Sequence, residues 1–198
     1  IFVSSCFSGL LKIDGITPTQ LYGTSVNGLE SMSANPPNPN FEVRVNGPAF
    51  DKNGNLWMTE NYIAKGLKVL KSNGQWQSYD LSTISDHANT RNYGILVVDK
   101  NNTKWIPTLQ DGLLAFNENY PTKSTAIKSS TEGNLPDTNV RCVAIDNRNQ
   151  LWIGTLRGLR ILQNVDSFLS ETDIQTKSII ILENDLAQEL FYEQFIVD

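Results

Sequence analysis

The chain has 198 residues, 39% of them apolar and 19% charged, a composition that excludes a disordered polymer and fits a folded globular class. Its formal net charge of -5 and pI near 4.9 argue against nucleic acid as a partner, because phosphate binding normally needs a basic stripe. No apolar run approaches the roughly 20 residues of a membrane helix, so no transmembrane segment is expected.

The sequence opens on Ile1-Phe2-Val3, without an initiator Met or a signal-peptide pattern, and is already strand-like there; the expectation is a piece cut from a longer chain. Residues 1–13 read as two strands joined at Gly9-Leu10, with residues 19–23 as an outer strand and the first strand of this unit missing. Residues 35–40, with Pro36, Pro37 and Pro39, cannot form a central strand and read as a loop.

The next unit begins near Asn46. It holds a turn at Asp51-Lys52-Asn53-Gly54-Asn55, a strand at Leu56-Trp57-Met58-Thr59, a break before Gly66-Leu67, and a further turn at Ser72-Asn73-Gly74. Residues 75–81 follow as an outer strand with one wet face. His87, the only histidine, lies in the polar loop beyond and is read as solvated, with no metal cluster around it. A third unit repeats the order with Asp99-Lys100-Asn101-Asn102, then Trp105-Ile106-Pro107-Thr108, then Gly112-Leu113, and returns through Gly133-Asn134-Leu135-Pro136.

The fourth unit, residues 139–162, is the most legible. Alternating Val140, Cys142 and the run to Ile145 break at Asp146-Asn147-Arg148-Asn149, resume as Leu151-Trp152-Ile153-Gly154-Thr155, and turn again at Arg157-Gly158. Residues 178–182 are its expected outer strand, and residues 192–198 repeat the pattern of 140–146 as the start of a fifth unit. Cys6 and Cys142 fall inside these expected strands and read as small core residues, more in keeping with buried hydrophobes than with a disulfide.

The tryptophans at 57, 105 and 152 stand 48 and 47 residues apart, and the Gly-Leu pairs at 66, 112 and 158 stand 46 apart. A period of about 40 to 50 residues with three or four strands and one aromatic anchor is the mark of a β-propeller blade. The expected fold is therefore all-β, a partial β-propeller: about four blades of a larger, seven-bladed one, truncated mid-blade at both ends. The blades are placed at 1–42, 43–90, 91–138 and 139–190, with a further blade starting at 191–198. Each unit has a face it cannot bury alone, so the remaining blades of the parent are its first partners. Trp57, Trp105 and Trp152 are the expected wedges, each worth on the order of 4 to 6 kcal/mol as an upper bound if fully buried.

The run Leu135-Pro136-Asp137-Thr138-Asn139-Val140-Arg141, with Asp146, Leu151-Trp152-Ile153-Gly154-Thr155 and Gly158-Leu159, resembles the two-component-regulator propeller repeat, which builds periplasmic sensor domains of hybrid histidine kinases and also surface propellers. Pro107 departs from it where the motif has Gly, Val3 where it has Trp, and residues 60–65 insert extra length. The segments FDKNGNLWMTEN (50–61), GLKVLKSNGQWQSY (66–79), GLLAF (112–116) and SIIILENDLAQELFYEQFIVD (178–198) resemble the propeller family of the type IX (Por-type) secretion system. That resemblance implies a cell-surface or periplasmic scaffold that binds anionic lipopolysaccharide or glycan and meets other secretion-system proteins. The alternative it leaves open is a ligand-sensing ectodomain of a hybrid two-component system.

No catalytic constellation stands out, and no cofactor or metal is expected. The run at Asp51 resembles part of a calcium loop, but its glycine is fourth and the downstream Glu is missing, which favours a hairpin turn. Trp57 to Glu60 resembles the streptogramin-lyase propellers, yet those depend on a histidine in a turn unlike that of His87; a lyase role for Glu60 is the least favoured reading. Propellers bind on the face built from loops entering the inner strand and loops joining the second and third strands. Those loops carry Asn46, Tyr62, Gln110, Asp111, Arg141 and Arg157: the arginines suit a phosphate or carboxylate, and Tyr62 suits the face of a sugar.

Overall fold

In the computed structural model, residues 1–24, 28–32, 42–90, 92–129, 132–171, 173–183 and 186–189 are described. Two compact units divide the chain, Ile1–Val98 and Asp99–Asp198.

The first unit stacks two antiparallel meanders. Strands β1 (Phe2–Ser5), β2 (Gly9–Asp14) and β3 (Thr17–Tyr22) form a sheet in that order, and β4 (Val45–Phe50), β5 (Leu56–Glu60), β6 (Leu67–Leu70) and β7 (Trp76–Tyr79) form another. The short strand β8 (Val97–Val98) closes the unit. The register of β4 on β5 shifts between Asn46 and Ala49, where Pro48 has no N–H for the ladder. The two sheets share one core, in which Leu10 and Tyr22 meet Val45, Leu56, Met58 and Leu70, with Phe2 and Trp76 at its margin. Neither sheet could bury its inner face alone.

The second unit repeats the scheme. Strands β9 (Lys104–Pro107), β10 (Leu113–Phe116) and β11 (Thr125–Ile127) lie side by side, with a 3-10 turn at Pro121–Lys123 before the last. The next sheet runs β12 (Val140–Ile145), β13 (Leu151–Thr155), β14 (Gly158–Leu162) and β15 (Lys177–Ser178), with the one-turn helix α1 (Ser167–Ser170) before β15. A separate hairpin pairs β16 (Ile180–Glu183) with β17 (Leu186–Glu189).

One local device recurs three times and explains why the turns and tryptophans keep their spacing. The carboxylate of Asp51 accepts the backbone N–H groups of Asn53 (2.8 Å) and Asn55 (2.9 Å) through Oδ1 and the indole Nε1 of Trp57 (2.9 Å) through Oδ2. Asp99 does the same for Asn101, Thr103 and Trp105, and Asp146 for Arg148, Gln150 and Trp152. In each turn the fourth residue has positive φ, a conformation supplied by Gly54 and by the asparagines Asn102 and Asn149. One side chain thus satisfies the turn and the polar edge of the aromatic wedge, which would otherwise bury an orphan donor. Trp57 and Trp105 are buried and Trp152 half-buried; Trp57 stacks on Tyr79 at 5.7 Å, and Trp105 meets Phe168 edge-on at 6.0 Å.

Several expectations need correction. Cys6 and Cys142 are exposed free thiols: Cys6 sits in the turn after β1, and Cys142 lies on the uncovered face of β12. The outer strand of the fourth unit is only Lys177–Ser178, paired with β14, because Ile180–Glu183 is taken by its own hairpin. Trp76–Tyr79 is half-buried at every position rather than wet on one face, and β11 is a strand the polar sequence around it concealed. The turn at Asp51 is a hairpin, as expected. Residues 35–40 and 192–198 lie outside the described residues.

The shared device carries a prediction. Asp99→Ala leaves the buried Trp105 indole and Thr103 amide without an acceptor and is expected to lower stability by about 2 to 4 kcal/mol. Asp146→Ala, beside the half-buried Trp152, should cost clearly less. Chemical denaturation of the two variants side by side checks the ranking.

Candidate ligand-binding face

Each blade strand has two ends of different chemistry. At one end lie the aspartate turns. At the other lie the loop that enters the first strand of a sheet and the loop that joins its next two strands, held by a threonine: Thr59 Oγ1 donates to Gly94 O (2.8 Å), Thr108 Oγ1 to Gly112 O (2.7 Å) and Thr155 Oγ1 to Gly158 O (2.7 Å). Gly112 is required in its loop, since it has φ +75° and an added Cβ would stand 2.1 Å from Ile127 O.

In the first unit, the Asn46 and Asn61 amides both donate to Tyr93 O (3.0 and 2.9 Å), so Asn46 is drawn to the loop that carries Tyr62. Tyr62 is 36% exposed at φ +66°, and its ring receives the Arg44 guanidinium at 5.1 Å from the centroid. Arg44 itself was not picked out from the sequence. Only the alternation of charged and apolar residues just before β4 hinted at it.

In the second unit, the backbone gathers the remaining four residues at one end. Gly112 N donates to Thr138 O, Val140 N to Thr108 O and Leu156 N to Asn139 O, which ties the β9–β10 loop and the β13–β14 turn to the entry of β12. Gln110 is exposed at that end. Asp111 is buried, its amide donating to Thr108 Oγ1 (2.8 Å), so it works as a loop residue. Arg141, the second residue of β12, is exposed, and the 73% exposed side chain of Arg157 places Nε 3.2 Å from Asp137 Oδ2. That contact uses one of five guanidinium donors.

The acidic end has little chemistry to spare. Burial works against ionised Asp51, but the bonds from Trp57, Asn55 and Asn53 outweigh it and hold its carboxyl below the usual range. The indole of Trp152, then Gln150 and Arg148, lower Asp146 in the same way. At Asp99, which has no counterpart of the Asn55 side-chain bond and lies near Asp166, burial prevails and pushes the carboxyl up. The sequence signal for this role was plain: each aspartate precedes its tryptophan by six positions.

Glu60, the residue considered for a lyase role, is fully buried at the end of β5. Its Oε1 accepts the Glu30 amide (2.9 Å), and Oε2 stands 3.5 Å from Lys68 Nζ without a hydrogen-bond partner. Lys68, also fully buried, pairs more closely with the Glu30 carboxylate. Burial raises the Glu60 carboxyl to about 7, against the opposing pull of Lys68.

Residues 134–157 match the family model described as two component regulator propeller. The match falls on β12 and β13 with the connector before them, the same unit whose residues carry the resemblance. Among solved structures the chain is similar to PorZ of Porphyromonas gingivalis, described as an essential bacterial surface component of the type-IX secretion system, with TM-score 0.78 and 19% identity over 96% of this chain and 27% of that one. The chain is built of β-propeller blades. It is also similar to the extracellular domain of BT4673 of B. thetaiotaomicron, ascribed to a one component system (TM-score 0.60, 18% identity, 96% of this chain and 21% of that one). A third likeness is to the extracellular domain of BT3049 of the same organism, ascribed to a hybrid two component system (TM-score 0.54, 18% identity, 92% and 23%). The chain spans about a quarter of the length of these propellers, and at such identities the likeness is one of fold. No curated protein matches the chain. Among the described residues, no helix is long and apolar enough to cross a membrane.

The Glu60 environment predicts a pH dependence. Its folded pKa exceeds the ordinary 4.5, so between about 4.5 and 7 the native state keeps a proton that the unfolded chain releases, and stability falls as pH rises through that window. Measured against Glu60→Gln by denaturation at a series of pH values, the wild type should lose ground by up to about 3 kcal/mol. A pH-independent difference would refute the assignment.

Proposed function

We propose that this chain is a non-enzymatic binding segment of a surface or extracellular propeller that holds an anionic glycan, such as lipopolysaccharide, and acts as a scaffold. The observation that carries the reading is the exposed arginine pair of the second unit. Arg141 and Arg157 stand at the loop end with guanidinium donors to spare, while Asp99 and Asp146 at the opposite end are occupied by turn amides and indoles. A chain of net charge -5 that nonetheless presents cations at one end suits a ligand of opposite charge engaged locally rather than by a global field. The fold likeness to PorZ supports a surface location and a place among secretion-system proteins.

The second reading, a ligand-sensing ectodomain, is favoured by the family match at 134–157 and by the two extracellular domains. It asks for the same loop end and differs in what the ligand does next. Calorimetry with the intact protein and purified lipopolysaccharide is expected to show binding that weakens with salt, and Arg141→Ala with Arg157→Ala should reduce affinity by about five- to tenfold. Binding unchanged by both substitutions would refute the proposed face.

A further inference from the structure

The first unit carries an arrangement at the same kind of loop end of which the sequence singled out Tyr62 alone. Arg44 precedes β4, and its guanidinium carbon lies 4.9 Å from the ring centroid of Phe7 and 5.1 Å from that of Tyr62. The three side chains come from the β1–β2 turn, the entry to β4 and the β5–β6 loop. Backbone bonds fix all three: Val43 N donates to Phe7 O (3.2 Å), Asn61 N to Arg44 O (3.0 Å) and Tyr62 N to Thr90 O (3.2 Å). The hydroxyl of Ser5 accepts the amides of Phe7 (3.2 Å) and Ser8 (3.1 Å) and sets the turn that presents Phe7.

Phe7 is 53% exposed and Tyr62 36% exposed, so two rings are held at the surface beside a cation when burial would have been the ordinary fate of a phenylalanine. Arg44 is only half-buried, yet its Nε is shut off from solvent with no hydrogen-bond partner. Among the described residues no carboxylate takes up its guanidinium in an ion pair. A guanidinium engaged by aromatic faces keeps its in-plane N–H edge for an acceptor, and its orientation is set before a ligand arrives.

We propose that Phe7, Arg44 and Tyr62 form a binding site for an acidic sugar, with Arg44 taking the carboxylate in a bidentate contact and the exposed rings lying against the pyranose face. This deepens the reading of an anionic glycan as ligand and rests on it, but assigns the contact to a place distinct from Arg141 and Arg157. A uronate matches the geometry because its charge is planar and lies at the edge of a ring whose C–H face suits an aromatic one.

The test uses the intact protein and a glucuronate-containing tetrasaccharide, with its carboxyl-reduced form and mannose 6-phosphate as comparison probes, read by calorimetry. Binding of the uronate probe, weakened about tenfold by Arg44→Lys and at least about threefold by Phe7→Leu, with thermal midpoints unchanged, is the expected result. Arg44→Lys keeps the charge and loses only the planar fork, so it separates a built site from general attraction. Preference for mannose 6-phosphate over the uronate, or equal binding of the carboxyl-reduced form, overturns the acidic-sugar assignment. Uronate binding that survives Arg44→Lys and Phe7→Leu but falls with Arg157→Ala overturns this site and leaves the anionic-glycan reading standing. Failure of uronate, phosphosugar and lipopolysaccharide alike to bind the wild type overturns both.

Discussion

The structure depends on a single carboxylate contact made three times: an aspartate that ties its own turn and, six residues on, the indole of the next strand. A hairpin turn of five residues leaves inward amides that need acceptors, and a buried tryptophan leaves one N–H that needs another. One side chain meets both needs, so the strand cannot be entered in a different register without losing the turn and the wedge together. This accounts for repeats that share little beyond Asp, Trp and Gly and still fold alike. The three copies differ in surroundings, and the carboxyls follow: burial, with the nearby Asp166 charge, raises Asp99, whereas Asp51, with an added bond from the Asn55 side chain, and Asp146, beside Arg148, are lowered.

The same contact divides the blade into an end that is chemically spent and an end that is available. Aspartates at the turn end commit most of their acceptor capacity to turn amides and indoles. At the other end, threonine hydroxyls and backbone bonds stitch the loops together, and side chains such as Arg44, Arg141 and Arg157 project from a fixed frame. Arg44, already held against the rings of Phe7 and Tyr62, loses less rotamer freedom on meeting an anion than a loose surface arginine would, and that freedom is a large part of what weakens surface charge pairs elsewhere. Buried Glu60 and Lys68, with the half-exposed Glu30 carboxylate, form a further group. It joins residues 28–30 to β5 and β6 and has a packing role with a titratable member.

Much of this was legible from residues alone where chemistry is local. The turns, the strands on either side of them, the tryptophan wedges and the loops of the opposite end all follow from Asp, Asn and Gly punctuation and from a period of 46 to 48 residues. Matters decided by neighbours were not. Cys6 and Cys142 looked like core residues because their strands are apolar, but burial depends on what covers a face. The segment 178–182 looked like one strand, yet pairing geometry split it between β14 and the β16–β17 hairpin. Within the candidate site, Asp111 looked like a ligand residue and proved to be buried in its own loop, and Asn46 spends its amide on Tyr93.

The amino-acid sequence by itself determined the repeat and the blade, because these arise from contacts within a few residues or from a period written along the chain. Only the tertiary structure decided which side chains meet. Phe7, Arg44 and Tyr62 come from three separate loops, and nothing in their spacing requires a guanidinium to lie against two rings. Their meeting is a consequence of stacking one sheet on the next, which brings together residues that are distant along the chain and leaves no trace in local pattern.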